Sequence, residues 1–243
     1  MRGQGRSKSL KAREAPSGTG ARAQKLWFKR GINQREVKRW RSNRLLLSLP
    51  QIHGMFPPLD EGDKYAVLPY FWIPEDNVDL RVRRDHVPYD VWQRQGKLET
   101  TEGNVVHYGY IEKFIERLGE RFNIREIAFG RWGAVQMVQN LEGMGFTVVP
   151  FGQGFASMSP PTKELMKLVL EEKIAHGGHP VLRWNKDNIL KRTDPAENIK
   201  ADKAKSTEKI DGAIALIMAL DRAIRCGNDS GESVYDSRGV LVI

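Results

Sequence analysis

The 243-residue sequence contains a single cysteine, Cys226, and this scarcity excludes two kinds of site. One thiol cannot form an internal disulfide, and it cannot supply the several sulfur ligands of a multi-cysteine zinc site. No apolar run is long enough to cross a bilayer, and the basic N-terminus lacks the apolar stretch of a secretory signal. We therefore expect a protein of a reducing cytoplasm that does not enter a membrane.

The chain also lacks the glycine-rich signatures of nucleotide-binding and hydrolytic enzymes. No G-x-x-x-x-G-K-[ST] spacing occurs, so neither a phosphate-binding loop nor an ATP-driven motor is predicted. The nearest approach to G-x-G-x-x-G is GQGFAS at 152–157, which precedes prolines and which we interpret as a loop. No G-x-S-x-G elbow is present, and an α/β enzyme for small molecules would need an acid or nucleophile constellation that the sequence does not show.

Acidic residues are scarce in the first fifty positions, which hold 14 Lys or Arg and two Asp or Glu. The remaining chain holds 25 and 28, so the net charge of +9 arises entirely from the first fifth. A basic arm that binds nucleic acid through its phosphates and a disordered tail are both compatible with this composition. We expect disorder or near-disorder in this stretch.

From Lys64 onward, extended and helical patterns alternate, which indicates an α/β domain with a central sheet. Strands are predicted at 64–74, 124–129 and 146–151, a turn or hairpin at 191–205, and a strand or short helix at 179–190. Helices are predicted around 89–96, from 111 to about 119, at 132–145 with Val135, Val138 and Leu141 on the apolar face, from Ser159 towards Gly177, and from a cap at Ser206 or Thr207 to Gly227.

Two groups of residues are candidates for chemistry. Asp211 stands beside Gly212 at the first turn of the last helix, which is apolar almost all round. Its carboxylate either complements the helix N-terminus or acts as an oxygen ligand for a hard divalent cation. His176 and His179 flank two glycines and could bind a metal, but the absence of nearby cysteines favours surface-loop residues.

Two long runs carry a resemblance. The stretch from YFWIPEDNVDLRVRRDHVPYDVW through NIREIAFGRWGAVQMVQN to FGQGFASMSPPTKELMKLVLEEKI, followed by KSTEKIDGAIALIMALDRA, resembles the nuclease domain of tailed-bacteriophage terminase large subunits. The similarity covers roughly Leu59 to Cys226. It implies an RNase H-like fold, in which a central mixed sheet is flanked by helices. It also implies endonucleolytic cleavage of concatemeric viral DNA during packaging, with Mg²⁺ or Mn²⁺ held between acidic residues.

The resemblance assigns roles to individual positions. Asp211 corresponds to the family's third acid and would be the metal ligand, while Gly130 stands where the family's pattern has a second Asp. The first acid belongs to a strand before Lys64 and has no counterpart in LLLSLPQIHGMFPPLDEGD. Glu208 is near enough in sequence to add a ligand, although no family motif supports it. We therefore expect weak metal binding and little or no cleavage, as in a truncated or degenerate prophage copy.

The resemblance also implies partners and divides the chain. The partners would be double-stranded DNA, the small terminase subunit and the portal protein, all in the cytoplasm of a bacterial host. We expect a non-homologous segment at 1–58, the nuclease domain at 59–227 without its first acidic strand, and a tail at 228–243. The alternative function is a non-catalytic module that binds DNA or the portal.

Positive charge along the chain suggests where DNA would bind. Candidate DNA-binding residues are Arg131, Lys200, Lys203, Lys205 and Lys209. For the lysines, a solvated face is an equally good interpretation. For a second cluster, formed by Arg81, Arg83 and Arg84, we favour a solvated face.

Overall fold

A computed structural model describes residues 44–49 (backbone only), 51–60, 62–130, 135–206 and 208–226. A six-stranded mixed sheet lies at its centre, in the order β7-β6-β1-β2-β3-β8. Its strands are β1 Arg44–Leu49, β2 Ile52–Phe56, β3 Tyr65–Tyr70, β6 Asn123–Gly130, β7 Val148–Phe151 and β8 Ile174–Ala175. Two small ribbons accompany it: β4 Trp72–Pro74 with β5 Glu99–Thr101, and the hairpin of β9 Lys191–Thr193 with β10 Ile199–Ala201.

The described residues form seven α-helices. They are α1 Val78–Asp85, α2 Tyr89–Arg94, α3 Tyr108–Gly119, α4 Val135–Gly143, α5 Phe155–Leu170, α6 Pro180–Asp187 and α7 Asp211–Cys226. A short 3-10 turn, Glu75–Asn77, precedes α1. None of the helices in the described ranges has the length and apolar character needed to span a bilayer.

Strand directions bring four chain segments to one edge of the sheet. Strands β1, β3, β6 and β7 share one direction, and only β2 is antiparallel to its neighbours β1 and β3 within this group. Their carboxyl ends therefore lie at a common edge, which includes Gly130 and Phe151, paired in register. Open sheets commonly bind ligands beyond such carboxyl ends.

Each face of the sheet is covered by helices whose apolar side chains match it. Helix α3 buries Ile111, Ile115 and Leu118, spaced at i, i+4 and i+7, against Ile52 and Phe56 of β2 on one face, where α4 also packs. The opposite face is covered by α7, which crosses β1, β2 and β6 and is itself covered by α5 and α6. Because α7 is enclosed on both sides, its near-continuous apolar composition is required. The expected α/β fold, with a central mixed sheet flanked by helices, is confirmed.

The sheet begins earlier than we expected. The predicted boundary at residue 59 placed everything upstream outside the domain, but β1 pairs with β6 from Arg44 to Leu49, and β2 pairs with β3 along its whole length. Ile52, Met55 and Phe56 are fully buried. The boundary was set at residue 59 because the family's first acid is missing upstream. A strand needs only apolar side chains and free backbone groups to enter a sheet, so the missing acid does not prevent this one from forming. The first strand is thus present and contains no Asp or Glu.

Three helix predictions were also inaccurate. Helix α5 begins at Phe155, so GQGFAS at 152–157 is half helix, and Ser159 lies inside it, buried, accepting a hydrogen bond from the Ile199 backbone N–H at 3.1 Å. Helix α7 begins at Asp211, because the Ser206 hydroxyl is used in a turn, donating to the Asp202 carbonyl at 2.7 Å; Thr207 lies outside the described residues. Tertiary packing overrides the local capping and proline signals at both positions.

The third inaccuracy concerns α4 and yields a test. Met137 and Leu141 form its buried face, whereas Val135, which we expected there, is 69% exposed. We expect Leu141→Ala to lower the free energy of unfolding by about 2–5 kcal/mol, because it opens a cavity against the sheet. Val135→Ala on the same helix should change it by less than about 0.5 kcal/mol. Urea denaturation of the two variants measures both values, and equal effects would contradict the described orientation of α4.

Candidate functional site

The end of β6 is occupied by a neighbouring amide. A Cβ atom added at Gly130 would lie 3.0 Å from Nε2 of Gln153, which follows β7. The same Nε2 is 4.0 Å from Sδ of Met218 on α7. The Gln153 amide therefore fills the space that a longer side chain at position 130 would enter. Because this amide is the far end of a flexible side chain, it could move to admit one.

Asp211 is held by an ion pair at the start of α7. Its Oδ1 lies 2.8 Å from Nζ of Lys203, and both side chains are between a third and a half exposed. The position in the first helical turn also favours a carboxylate, because the helix N-terminus carries partial positive charge. Asp211 thus has a cation at contact distance that the protein itself supplies.

Two residues that the sequence did not single out fix the position of Asp211. The Gly212 backbone N–H donates to Oδ1 of buried Asn185 at 2.9 Å. A Cβ at Gly212 would approach the Phe71 ring to 2.5 Å, so only glycine allows this contact. The Asp-Gly pair was the one available signal, since a glycine in the first turn of a buried helix indicates a close neighbour.

The four predicted lysines lie on β10 and in the chain between β10 and α7. Lys200 on β10 lies 5.0 Å from the centre of the Phe155 ring and 3.5 Å from the Gln153 carbonyl. Lys203 and Lys205 lie in the turn after β10, where the Asp202 carboxylate accepts backbone N–H groups from residues 204 and 205. Lys209 is exposed and lines a cavity together with Asp211. Lys200 therefore lies beside the Gln153 segment, Lys203 and Lys209 lie beside Asp211, and Lys205 lies in the same turn as Lys203. Arg131 lies outside the described residues.

The arginine cluster on α1 divides into two parts. Arg84 is exposed and pairs with Asp85 at 2.6 Å, and Arg83 is also exposed, as a solvated face requires. Arg81 instead lines the same cavity as Asp211. The expectation of a solvated face therefore does not hold for Arg81, which sequence reasoning missed because it lies 130 positions before Asp211.

The described residues do not fit a pair of divalent ions. Within the described ranges, no group of three or more His, Cys, Asp or Glu side chains is arranged to hold a metal. Strand β1 reads RLLLSL, and its Ser48 is level with Ala128 of β6, so this strand brings no carboxylate to the edge. Glu208 is exposed; burial is the main cause that raises the pKa of Tyr89 on α2, and the charge of Glu208 adds to it. Two ions about 4 Å apart require several shared carboxylates, and Asp211 alone does not provide them.

Three histidines lie close to the site, and the burial of His176 and partial burial of His179 correct their interpretation as surface-loop residues. His53 and His176 are buried, and His179 is half-buried. The Phe71 ring packs between two of them, with centroid distances of 5.0 Å to His53 and 5.4 Å to His179. Burial is the largest effect on all three rings. It lowers the pKa of His53 and His176 to about 4 and that of His179 to about 3. Gly177 and Gly178, between His176 and His179, indicated an exposed loop. In the structure this loop is enclosed by β2 and α6.

These pKa shifts predict how stability depends on pH. In the unfolded chain the rings take up protons near pH 6.5, whereas in the folded chain they stay neutral down to about pH 4. Between these values the unfolded state binds more protons, so the free energy of unfolding should fall as the pH is lowered, by up to about 1.4 kcal/mol per pH unit for each histidine. Urea denaturation between about pH 7 and pH 5 measures this slope.

Two variants separate the buried histidines from other titrating groups. His53→Gln removes one buried ring and should make the pH slope shallower, whatever its effect on stability at neutral pH. His107→Gln, at an exposed position before α3, is the matched control and should leave the slope unchanged. An identical slope in His53→Gln and the unmodified chain would refute the account.

Sheet order, strand directions and the acid at the start of the last helix together define the class of protein. A first strand between an antiparallel second strand and a parallel later strand, with a final helix across them, is the RNase H-like nuclease fold. A family model for the endonuclease domain of the terminase large subunit matches residues 54–226, and the chain belongs to this family. The resemblance found in the sequence is confirmed.

Individual relatives agree with this assignment. The terminase large subunit of Enterobacteria phage HK97 is 38% identical over 166 residues, which are 68% of this chain and 33% of that protein. Protein YmfN of Escherichia coli K12 is 31% identical over 66% of this chain and 36% of its own length. This chain therefore spans about a third of the length of the curated relatives it matches.

Solved structures support the same fold. The crystal structure of the HK97 large terminase matches with a TM-score of 0.70 and 32% identity, over 82% of this chain and 42% of that one. The large terminase nuclease of the thermophilic phage G20c matches with a TM-score of 0.51 over 82% of this chain and 96% of that one. Its identity is only 10%, so it supports the fold alone.

Proposed function

We propose that this chain acts as the nuclease portion of a phage terminase large subunit that binds double-stranded DNA during packaging and cuts it slowly or not at all. The contact between Lys203 and Asp211 carries this proposal. In the parent family, the activity would be metal-dependent endonucleolytic cleavage of concatemeric viral DNA. In this chain the corresponding position holds an internal ion pair, while the basic surface that would receive DNA is retained.

Electrostatics supports weak metal binding. Family membership implies that the ion would be Mg²⁺ or Mn²⁺. Such an ion prefers several anionic oxygens, and Asp211 offers one carboxylate, which is already paired with Lys203. An incoming ion would have to displace the ammonium group or bind beside it against like charge. At Gly130 the ion would meet the Gln153 amide, whose oxygen is neutral, instead of a second carboxylate. Binding of one ion would therefore be weak, and binding of a pair weaker still.

The surface around this pair suits a duplex backbone. The hairpin of β9 and β10 exposes Lys191, and Arg192 packs over the Phe155 ring at 5.9 Å. Together with the lysines at 200, 203, 205 and 209 it forms a basic path along the hairpin and the chain that leads from it to α7. Such a path binds phosphates by releasing counterions and needs no metal. Membership of the family implies two further partners, the small terminase subunit and the portal protein, in the cytoplasm of a bacterial host.

Cleavage of plasmid DNA tests the impaired site. With Mn²⁺, the unmodified chain should nick supercoiled plasmid no faster than Asp211→Ala, because one paired carboxylate cannot hold two ions. Gly130→Asp should not restore full activity, since β1 still brings no acid to the site. Agarose-gel quantification of nicked and linear plasmid provides the rates. Rapid cutting by the unmodified chain that Asp211→Ala abolishes would contradict the proposal.

Salt-dependent binding tests the DNA path. Replacing both Lys200 and Lys205 with Gln should weaken duplex binding and reduce the slope of log affinity against log salt by about 1–2, because each phosphate contact contributes about 0.9. The matched control replaces Lys113 and Arg117, which are exposed on α3 at the opposite face. Fluorescence anisotropy of a labelled duplex measures both slopes. An equal loss in the control variant would show that binding is not localised to this edge.

A further inference from the structure

A cavity of about 370 Å³ opens beside Asp211. Its wall includes the aromatic residues Phe71, Trp72, Tyr89 and Trp184. Its volume falls within the range of pockets that accept small organic groups. Neither the lost metal site nor the hairpin path accounts for a pocket of this composition.

The aromatic wall is built and rigid. Tyr89 and Trp184 meet edge to face, with ring centroids 5.8 Å apart, and Trp92 lies a further 5.8 Å from Trp184. Trp72 is fixed by a hydrogen bond from its Nε1 to Glu99 at 3.1 Å. Trp184 remains only half-buried, so part of its indole faces the cavity. Phe71, Trp72 and Tyr89 are buried, so Trp184 provides the accessible flat surface on which another planar ring can stack at little cost in conformational entropy.

The polar groups of the cavity are arranged unevenly. The charged residues that line it are Arg81, Lys209 and Asp211, and Asp211 pairs with Lys203. Asp85 and Glu208 lie near Tyr89 in its wall, so Arg81 and Lys209 supply local positive charge without an overall excess. Gln51, in the turn between β1 and β2, also lines the cavity. Its Oε1 is buried without a hydrogen-bond partner in the described part of the chain. An acceptor of this kind favours a ligand that brings its own N–H donors.

We propose that this cavity receives one unpaired nucleotide of a DNA strand, with the base against the aromatic wall and its phosphate between Arg81 and Lys209. The Trp184 ring suits the face of a base, the unsatisfied Gln51 oxygen suits its N–H edge and the two cations suit its phosphate, and stacking of this kind tolerates any base. A paired base stays within the duplex stack, so the site would select frayed ends, gaps and overhangs. This inference rests on the proposed DNA binding and adds a preference for unpaired nucleotides to it.

Competing duplexes test the preference. Anisotropy titrations would compare a blunt duplex with the same duplex carrying a short single-stranded overhang. The unmodified chain should bind the overhang duplex about fivefold or more tightly, which corresponds to the lower end of base stacking on an aromatic side chain. Equal affinities for the two duplexes would overturn this inference alone. Absence of binding to either would overturn the proposed function as well.

Variants locate the effect in the cavity. Arg81→Ala should abolish the preference and leave blunt-duplex affinity nearly unchanged, while Arg83→Ala, exposed on the same helix outside the cavity, should keep the preference. Trp184→Phe should retain it and Trp184→Leu should lose it, because phenylalanine still provides a flat ring. A preference that survives Arg81→Ala and Trp184→Leu would place the unpaired nucleotide elsewhere and refute the proposal.

A free nucleotide is the other source of the same chemistry. A 2-aminopurine base in the overhang should lose fluorescence on binding, and Trp184→Leu should prevent that loss. Addition of free deoxynucleotide at millimolar concentration should displace the overhang weakly, because it lacks the duplex contacts to the hairpin. If the free nucleotide binds as tightly as the overhang duplex, the cavity is a mononucleotide site and the inference about DNA strands is wrong.

Discussion

The burial of α7 is the constraint on which the rest of the structure depends. This helix lies across β1, β2 and β6 and is covered from outside by α5 and α6, so nearly every side of it must be apolar. Its first turn is fixed by the Phe71 ring against Gly212 and by the hydrogen bond to Asn185. Asp211 is consequently held at the carboxyl edge of the sheet whether or not it performs any chemistry.

This arrangement explains how the fold can hold Asp211 in place mainly with apolar side chains and glycine around α7. The core between α3 and the sheet is built from apolar side chains, whereas the core around α7 reaches the site through Phe71. Two side chains of the chain itself lie at the carboxyl edge of the sheet: the Lys203 ammonium pairs with Asp211, and the Gln153 amide lies beside Gly130. The first balances the charge of the Asp211 carboxylate, whereas the second is neutral and only fills space. The basic hairpin, which relies on charge alone, is intact.

The sequence predicted those parts of the structure that have strong periodicity. Helix α3, strands β6 and β7 and the β9–β10 hairpin were identified from spacing and turn residues, and the family resemblance correctly indicated the fold. Strands β1 and β2 were missed because the segment that contains them lacks the family's first acid and was therefore placed outside the domain. Their pairing with β6 and β3 is a long-range property that local sequence does not reveal. The buried histidines were missed because Gly177 and Gly178 suggested a loop, and only β2 and α6 together enclose those rings.

The site was predictable only in part, for similar reasons. Asp211 and Gly130 could be identified by motif, but Gln153 and Lys203 contact them through chain folding that no local pattern encodes.

The most direct test of the central claim is a crystal of the chain soaked in Mn²⁺ and measured at the manganese absorption edge. We expect Lys203 to remain against Asp211, with no pair of ions in the anomalous map. Two well-occupied ions enclosed by carboxylates at this edge would contradict the account.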